Sequence, residues 1–259
     1  MWKLNYTTKK PVLKKPILIE GLPGIGNVGK LALDFIIDET GARKIAEFQS
    51  NCFPHSVFVN EENLVELPAI EVFLKQRNGK NDLLLLAGDV QPLDEQSCYQ
   101  FSDTVLEMAK ELGCREIITL GGVAMKQVPK KPQVYLTGNN RGIVSKYLKS
   151  TTLNHNIYGT VGPIIGVSGV LVGLAKRENI SAVSLLAETY GHPMYLGVAG
   201  AKEILKVLNK KLSLNLCMRR LEKELAELEH EFTENPEAGA ITRRSLARLR
   251  RHKDTSYIG

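Results

Sequence analysis

The sequence lacks the residues that crosslink small proteins or gather metal ions. Its four cysteines, Cys52, Cys98, Cys114 and Cys217, lie far apart and form no CxxC pair. No histidine spacing matches a metal motif such as H-E-x-x-H. These features argue against a disulfide framework and against a cysteine-rich zinc site. We therefore expect a protein of the reducing cytoplasm that binds no metal.

Long hydrophobic runs are also missing. Residues 159–175 carry no charged side chain, but they are rich in glycine and fewer than the roughly 20 residues that a membrane helix needs. Hydrophobic residues make up 43% of the 259 residues, charged residues 24% and aromatic residues only 6%. Such a balance is typical of globular proteins and predicts a soluble chain with one large domain or two small ones.

Excess positive charge is confined to one end of the chain. The formal net charge is +6, and residues 241–259 contain six Lys or Arg residues but one acid, Asp254. The rest of the chain is therefore close to neutral. A non-specific nucleic-acid binder spreads basic residues over a folded face. We expect no nucleic-acid partner, and binding through the tail alone stays a minor hypothesis.

Apolar runs and helical spacing alternate through most of the chain. The strands are predicted at residues 14–20, 42–48, 67–75, 83–87, 116–120, 134–137 and 181–186. The helices are predicted at residues 30–40, 94–112, 141–149, 167–177 and 198–209. Residues 78–81, Asn-Gly-Lys-Asn, predict a hairpin turn. The pattern predicts an α/β fold with a mainly parallel central sheet flanked by helices and with a C-terminal helical extension.

Three segments differ in composition. Residues 1–212 carry the α/β pattern, residues 213–235 a heptad spacing, and residues 236–259 a polar, basic composition that predicts a mobile tail. The heptad positions are all apolar: Leu214, Met218, Leu221, Leu225, Leu228 and Phe232. Such a seam packs on a neighbouring helix, either of the same chain or of another subunit. We predict that it contributes contacts to a homo-oligomer.

A glycine-rich turn after the first long strand matches two nucleotide-binding patterns incompletely. Gly24, Gly26 and Gly29 fit G-x-G-x-x-G, and Gly29 with Lys30 fits the end of a phosphate-binding loop. Leu31, however, stands where that loop needs a Ser or Thr to ligate magnesium. A structural tight turn is therefore favoured over a phosphate site, and no cofactor is predicted.

Catalytic constellations are not recognisable. His55 and His192 each lie beside a proline, in predicted turns, and residues 166–169 fall one residue short of the nucleophile elbow G-x-S-x-G. The sequence therefore predicts no catalytic residue. The alternative is a small-molecule enzyme of nucleoside phosphorylase or hydrolase type, which would use the glycine-rich loops at strand ends.

Residues 20–29 resemble the opening signature of the proteasome assembly chaperone family, in its archaeal branch. The matching positions are Gly21, Pro23, Gly24, Gly26, Asn27 and Gly29. Further blocks at residues 83–92, 119–122, 162–174 and 187–190 occur in the order of that family. The resemblance covers residues 11–209.

This resemblance implies a fold like that of nucleoside phosphorylases, used without their chemistry. It implies an ATP-independent assembly chaperone or proteasome-binding adaptor that forms homo-oligomers and binds proteasome subunits or the core particle. Proteasome activators generally end in a hydrophobic residue, tyrosine and any residue, and we expect Tyr257, Ile258 and Gly259 to contact the partner. Tyr257 is third from last and follows Ser256, so the tail departs from the motif. The alternative is a tail that only keeps the protein soluble.

Overall fold

The computed structural model describes residues 2–60, 62–149, 151–159, 161–217, 219, 220 and 223. Its strands are β1 (Lys3–Tyr6), β2 (Ile17–Gly21), β3 (Arg43–Gln49), β4 (Phe58–Val59), β5 (Val65–Glu66), β6 (Ile70–Lys75), β7 (Leu83–Gly88), β8 (Glu116–Met125), β9 (Val134–Gly138) and β10 (Ser181–Tyr190). Its helices are α1 (Val28–Thr40), α2 (Glu95–Glu111), α3 (Arg141–Leu148), α4 (Val167–Ala175) and α5 (Val198–Leu212). In this part of the chain, eight strands form one sheet, and β4 pairs with β5.

The large sheet is mixed, with the strand order β1-β3-β6-β7-β2-β8-β10-β9. The four central strands β7, β2, β8 and β10 are parallel neighbours. The outer strands pair antiparallel, from β1 to β7 on one side and between β10 and β9 on the other. The prediction of a mainly parallel sheet is therefore wrong. Short connections such as the turn at residues 78–81 can join only antiparallel neighbours, whereas parallel neighbours need long crossovers.

The predicted hairpin is confirmed, because β6 and β7 pair antiparallel from Lys75↔Leu83 to Ile70↔Gly88. Every residue of β7 is buried, as expected for a strand that is covered on both faces. One hydrophobic core lies between the sheet and α1, α3 and α5, and the other between the sheet and α2 and α4. The fold is therefore a three-layer α/β/α sandwich.

The chain after α5 differs from the prediction for residues 213–235. Ser213 adopts a left-handed conformation with φ of 50° and ends α5. Leu214 then lies outside any helix and is buried in the core beside α1 and α5. The predicted heptad helix therefore does not begin at Leu214. The other seam positions lie outside the described residues: Met218, Leu221, Leu225, Leu228 and Phe232.

Candidate functional site

The carboxyl ends of the parallel strands bring four loops to one edge of the sheet. Residues 22–27 follow β2, residues 89–94 follow β7, residues 191–197 follow β10, and residues 161–166 lead into α4. Ligands of open α/β sheets bind outside these strand ends. We call this edge, with its loops, the carboxyl edge. Of the six residues of the predicted family motif, four lie in the loop after β2, and Gly21 and Gly29 flank it at the end of β2 and the start of α1.

The glycine loop needs its special residues for backbone reasons. Gly26 has φ of 61° and Asn27 has φ of 50°, so both are left-handed. Glycine and asparagine tolerate this region better than other residues do. A Cβ atom at Gly26 would also lie 2.6 Å from Thr189 Oγ1. The loop is therefore shaped to fit closely against the end of β10.

Two other glycines let α1 approach the backbone of the sheet. A Cβ atom at Gly29 would lie 2.4 Å from the carbonyl oxygen of Leu120, and one at Gly21 would lie 2.5 Å from that of Gly29. Gly24, by contrast, has no atom within 4 Å of its added Cβ. The space beside Gly21 and Gly29 is thus filled by protein backbone, which favours the interpretation of a structural tight turn.

The lysine of the partial phosphate-loop pattern is fully buried. Lys30 Nζ donates to Asp34 Oδ2 at 2.9 Å and to the carbonyl oxygen of Gly88 at 3.1 Å, and it lies 4.0 Å from Asp89 Oδ1. The Lys30 ammonium therefore neutralises internal carboxylates. Asp34 is not predicted from the sequence as the partner of Lys30. An acid four residues after a lysine in an apolar helix is nevertheless a signal for such a pair.

A second buried charge was also missed. Glu20, at the end of β2, is 0% exposed. It accepts hydrogen bonds from the Leu22 N–H and from Ser168 Oγ, both at 2.9 Å. Burial raises the pKa of Glu20 to about 7, and the two hydrogen bonds oppose that rise. Thr119 Oγ1 donates to the carbonyl oxygen of Ser168, so this network ties β2, β8 and α4 together.

Further hydrogen bonds fasten the loops to one another. Gln91 Nε2 donates to the carbonyl oxygen of Pro23 at 2.8 Å, and Gln91 Oε1 accepts from the Val167 N–H at 3.4 Å. The Gly197 N–H donates to the carbonyl oxygen of Gly26 at 2.7 Å. Sequence spacing gives no sign of these bonds. They hold the four loops as one connected surface.

The outer side of this surface is apolar. Ile25 is 47% exposed, Leu93 76%, Ile165 85% and Met194 46%. The described residues contain no group of three His, Cys, Asp or Glu side chains that could hold a metal ion. His192 Nδ1 accepts from the Met194 N–H, and Ser168 is engaged with Glu20. The arrangement is suited to contacting a protein partner.

Two further findings concern predictions made from the sequence. Tyr257, Ile258 and Gly259, the predicted partner contacts, lie outside the described residues. Among the helices formed by described residues, none is long and apolar enough to cross a membrane.

Solved structures share this fold over nearly the whole chain. PbaB of Pyrococcus furiosus, an archaeal proteasome activator, is 30% identical, with 91% of this chain and 99% of PbaB covered and a TM-score of 0.81. PbaA of the same organism, an archaeal homolog of proteasome-assembly chaperone, is 24% identical, with 96% and 100% covered and a TM-score of 0.72. An uncharacterised protein of Methanocaldococcus jannaschii is 27% identical over 249 residues, which are 95% of this chain and 93% of that protein.

The sequence model of one family also matches, and it spans residues 18–235. This match covers the glycine loop and all five helices described above. The resemblance deduced from residues 20–29 is thereby confirmed, and the chain belongs to the PAC2 family.

Proposed function

We propose that this protein is an ATP-independent assembly chaperone or activator of the proteasome. It acts by protein–protein binding, as a homo-oligomer, and carries out no catalysis. The observation that supports this proposal most is the 30% identity to PbaB, an archaeal proteasome activator, over 91% of the chain. The likeness to PbaA adds support at the level of the fold.

The packing of the glycine loop supports a function without nucleotide. A phosphate at a helix N-terminus is bound by free backbone N–H groups, and a phosphate-binding loop adds a lysine that reaches the phosphates. Here the Lys30 ammonium is paired with Asp34, and the side chain is 1% exposed. Gly26 is the second glycine of the G-x-G-x-x-G pattern, at which a pyrophosphate would approach the backbone. A Cβ atom there would lie 2.6 Å from Thr189 Oγ1, so protein already fills the space beside that glycine.

The C-terminal residues are the proposed anchors on the proteasome. Tyr257 and Ile258 would bury apolar surface, and the tyrosine hydroxyl can form a hydrogen bond inside a pocket. A terminal carboxylate on Gly259 can pair with a lysine or a set of backbone N–H groups. One such tail binds weakly, but several tails of one oligomer gain from a high effective concentration.

Capture of proteasome α-subunits tests this proposal. We expect the full-length protein to capture them, and a Tyr257→Ala variant or a chain that ends at Thr255 to capture at least tenfold less. Tyr158→Ala is the matched control, since Tyr158 is fully exposed on the folded body. Equal capture by all four proteins would show that the tail is not the anchor. Absence of capture by the full-length protein would contradict the proposed function itself.

A small-molecule enzyme is the second candidate, because the buried Glu20 and the half-buried Ser168 form a polar pair at the edge where α/β sheets bind ligands. A ligand that binds the native state raises the melting temperature. We expect no rise with ATP, adenosine, inosine or inorganic phosphate. A rise of several degrees with a nucleoside or phosphate, abolished in Ser168→Ala, would favour the enzyme.

A further inference from the structure

The carboxyl edge also includes residues 50–69, between β3 and β6, and residues 126–133, between β8 and β9. With these two segments and the four loops, it carries most of the exposed large apolar side chains among the described residues. Examples from six different loops or strands are Val59, Leu67, Leu93, Val128, Ile165 and Met194, whose exposed fractions range from 46% to 85%. Single exposed apolar residues are normal, but a set gathered on one face marks an interaction site. At the opposite edge of the sheet, Val12 is the corresponding exposed residue, at 93%.

Hydrogen bonds show that four loops of this edge, those following β2, β7 and β10 and the one leading into α4, are neighbours. Gln91 bonds to the backbone of Pro23 and of Val167, which places Ile25, Leu93 and Ile165 each two residues from that junction. The bond from Gly197 to Gly26 brings the loop of Met194 beside them. The central part of the face is therefore continuous.

The β4–β5 hairpin extends the face on one side. It lies between β3 and β6, whose register places Phe48 beside Ile70 and Ile70 beside Gly88, at the carboxyl edge. Val59 and Val65 are paired in the hairpin, yet they are 66% and 69% exposed. A two-stranded hairpin is marginally stable alone. This one has apolar side chains that a partner would cover.

The two ends of the face carry opposite charge. Glu62 and Glu95 are exposed beside the hairpin and at the start of α2, near β6 and β7. Lys126, Lys130 and Lys131 are exposed in the loop between β8 and β9, which is on the far side of β2 in the sheet order. Lys3, which is exposed on β1 beside Gln49, is also at the acidic end, but the exposed acids there, with Asp94, outnumber it. The face is therefore mainly acidic at one end, apolar in the middle and basic at the other end.

We propose that the carboxyl edge binds the same face of a second copy of this chain. A twofold axis through the apolar centre places the acidic end of each copy against the basic end of the other, and the two contacts are identical. A partner of one charge would be attracted at one end and repelled at the other. This interface rests on the homo-oligomer of the proposed function but not on its proteasome binding.

Light scattering of the full-length protein at micromolar concentration tests the apolar centre. We expect the wild type to exceed 28.7 kDa, the mass of one chain, and the double variant Leu93→Glu, Ile165→Glu to have half the wild-type mass or less. Val12→Glu, a matched change at the opposite edge, should keep the wild-type mass. Circular dichroism checks that each variant is folded, and Leu93→Ser with Ile165→Ser is the milder pair. A monomeric wild type, or folded edge variants with wild-type mass, would overturn the proposal.

Reciprocal charge reversal tests the twofold arrangement. Lys130→Glu with Lys131→Glu makes both ends acidic, and Glu62→Lys with Glu95→Lys makes both ends basic, so each variant alone should dissociate at least tenfold more readily. A mixture of the two restores both attractive contacts, and we expect it to recover the wild-type mass. If the mixture stays dissociated, the twofold pairing is wrong. Proteasome capture by the same variants is measured separately. Loss of the interface between copies and loss of proteasome binding can then be distinguished.

Discussion

The interior and the rim of the carboxyl edge differ sharply, although a few residues separate them. The interior holds Glu20, Lys30 and Asp34, all buried and all bonded to other parts of the protein. The rim holds Leu93 and Ile165, which are largely exposed. In a ligand-binding α/β protein we would expect the reverse, with free polar groups inside a crevice. The polar groups here are bonded within the fold, and the apolar side chains lie exposed at the rim.

This difference explains how a nucleotide-like motif can occur in a member of the PAC2 family without forming an open phosphate site. Glycine and lysine occur at the positions that a phosphate loop requires, but α1 packs so closely on Leu120 that Gly29 has no free space. The same residue types therefore produce a rigid junction between β2, β8 and α1. The following predictions test whether the interior acts as structure alone.

The largest effect is expected from Lys30→Met. The change leaves Asp34 buried without an ammonium 2.9 Å away, and breaking a buried ion pair costs about 3–5 kcal/mol. Urea unfolding measures the loss. Adding Asp34→Leu should recover most of it, because a buried pair can be replaced by apolar residues at little cost.

Lys206→Met is the control for that change. Lys206 pairs with Glu203 three residues earlier, but its side chain is 47% exposed. An exposed pair contributes less than about 1 kcal/mol. If Lys30→Met lowered the unfolding free energy as little as Lys206→Met, the Lys30 ammonium would not stabilise the fold. A role for Lys30 in ligand binding would then be favoured.

A smaller effect, with a definite pH dependence, is expected from Glu20. Its folded pKa of about 7 lies above the ordinary value of 4.5, so the folded protein binds an extra proton between these values. Stability should therefore be highest below about pH 4.5 with respect to this group, and fall by a few kcal/mol as the pH rises to about 7. Glu20→Gln should flatten the profile of unfolding free energy between about pH 5 and pH 8.

Glu47→Gln is the control for the pH profile. The Lys44 hydrogen bond holds the pKa of Glu47 below its usual value, so that carboxylate titrates below the window and its removal should leave the slope unchanged. A slope that persists in Glu20→Gln would mean that another group binds the proton.

Sequence reasoning succeeded where the pattern is local. The central strand β7 and the hairpin before it followed from an unbroken apolar run and an Asn-Gly turn. The predicted sheet has too large a share of parallel strand pairs. The antiparallel pairing of β9 with β10 joins residues about 50 apart, and no local pattern in the sequence indicates it. The Gln91 junction was missed for the same reason. The heptad spacing wrongly placed Leu214 in a helix, because apolar spacing alone does not distinguish a helix seam from a buried extended segment.

The smallest effects separate two glycines of one motif. In Gly29→Ala the new methyl group would lie 2.4 Å from the Leu120 oxygen, which is backbone and cannot rotate away. Such overpacking costs about 1–3 kcal/mol. Gly24 has an extended φ of −161° and open space around it. Gly24→Ala should therefore leave the unfolding free energy unchanged or raise it by up to about 1 kcal/mol, by restricting the unfolded chain. Urea unfolding of both variants decides the point. Equal stability of the two variants would mean that close packing is not the reason for a glycine at position 29. A large difference would show that Gly29 is needed where α1 packs on the sheet.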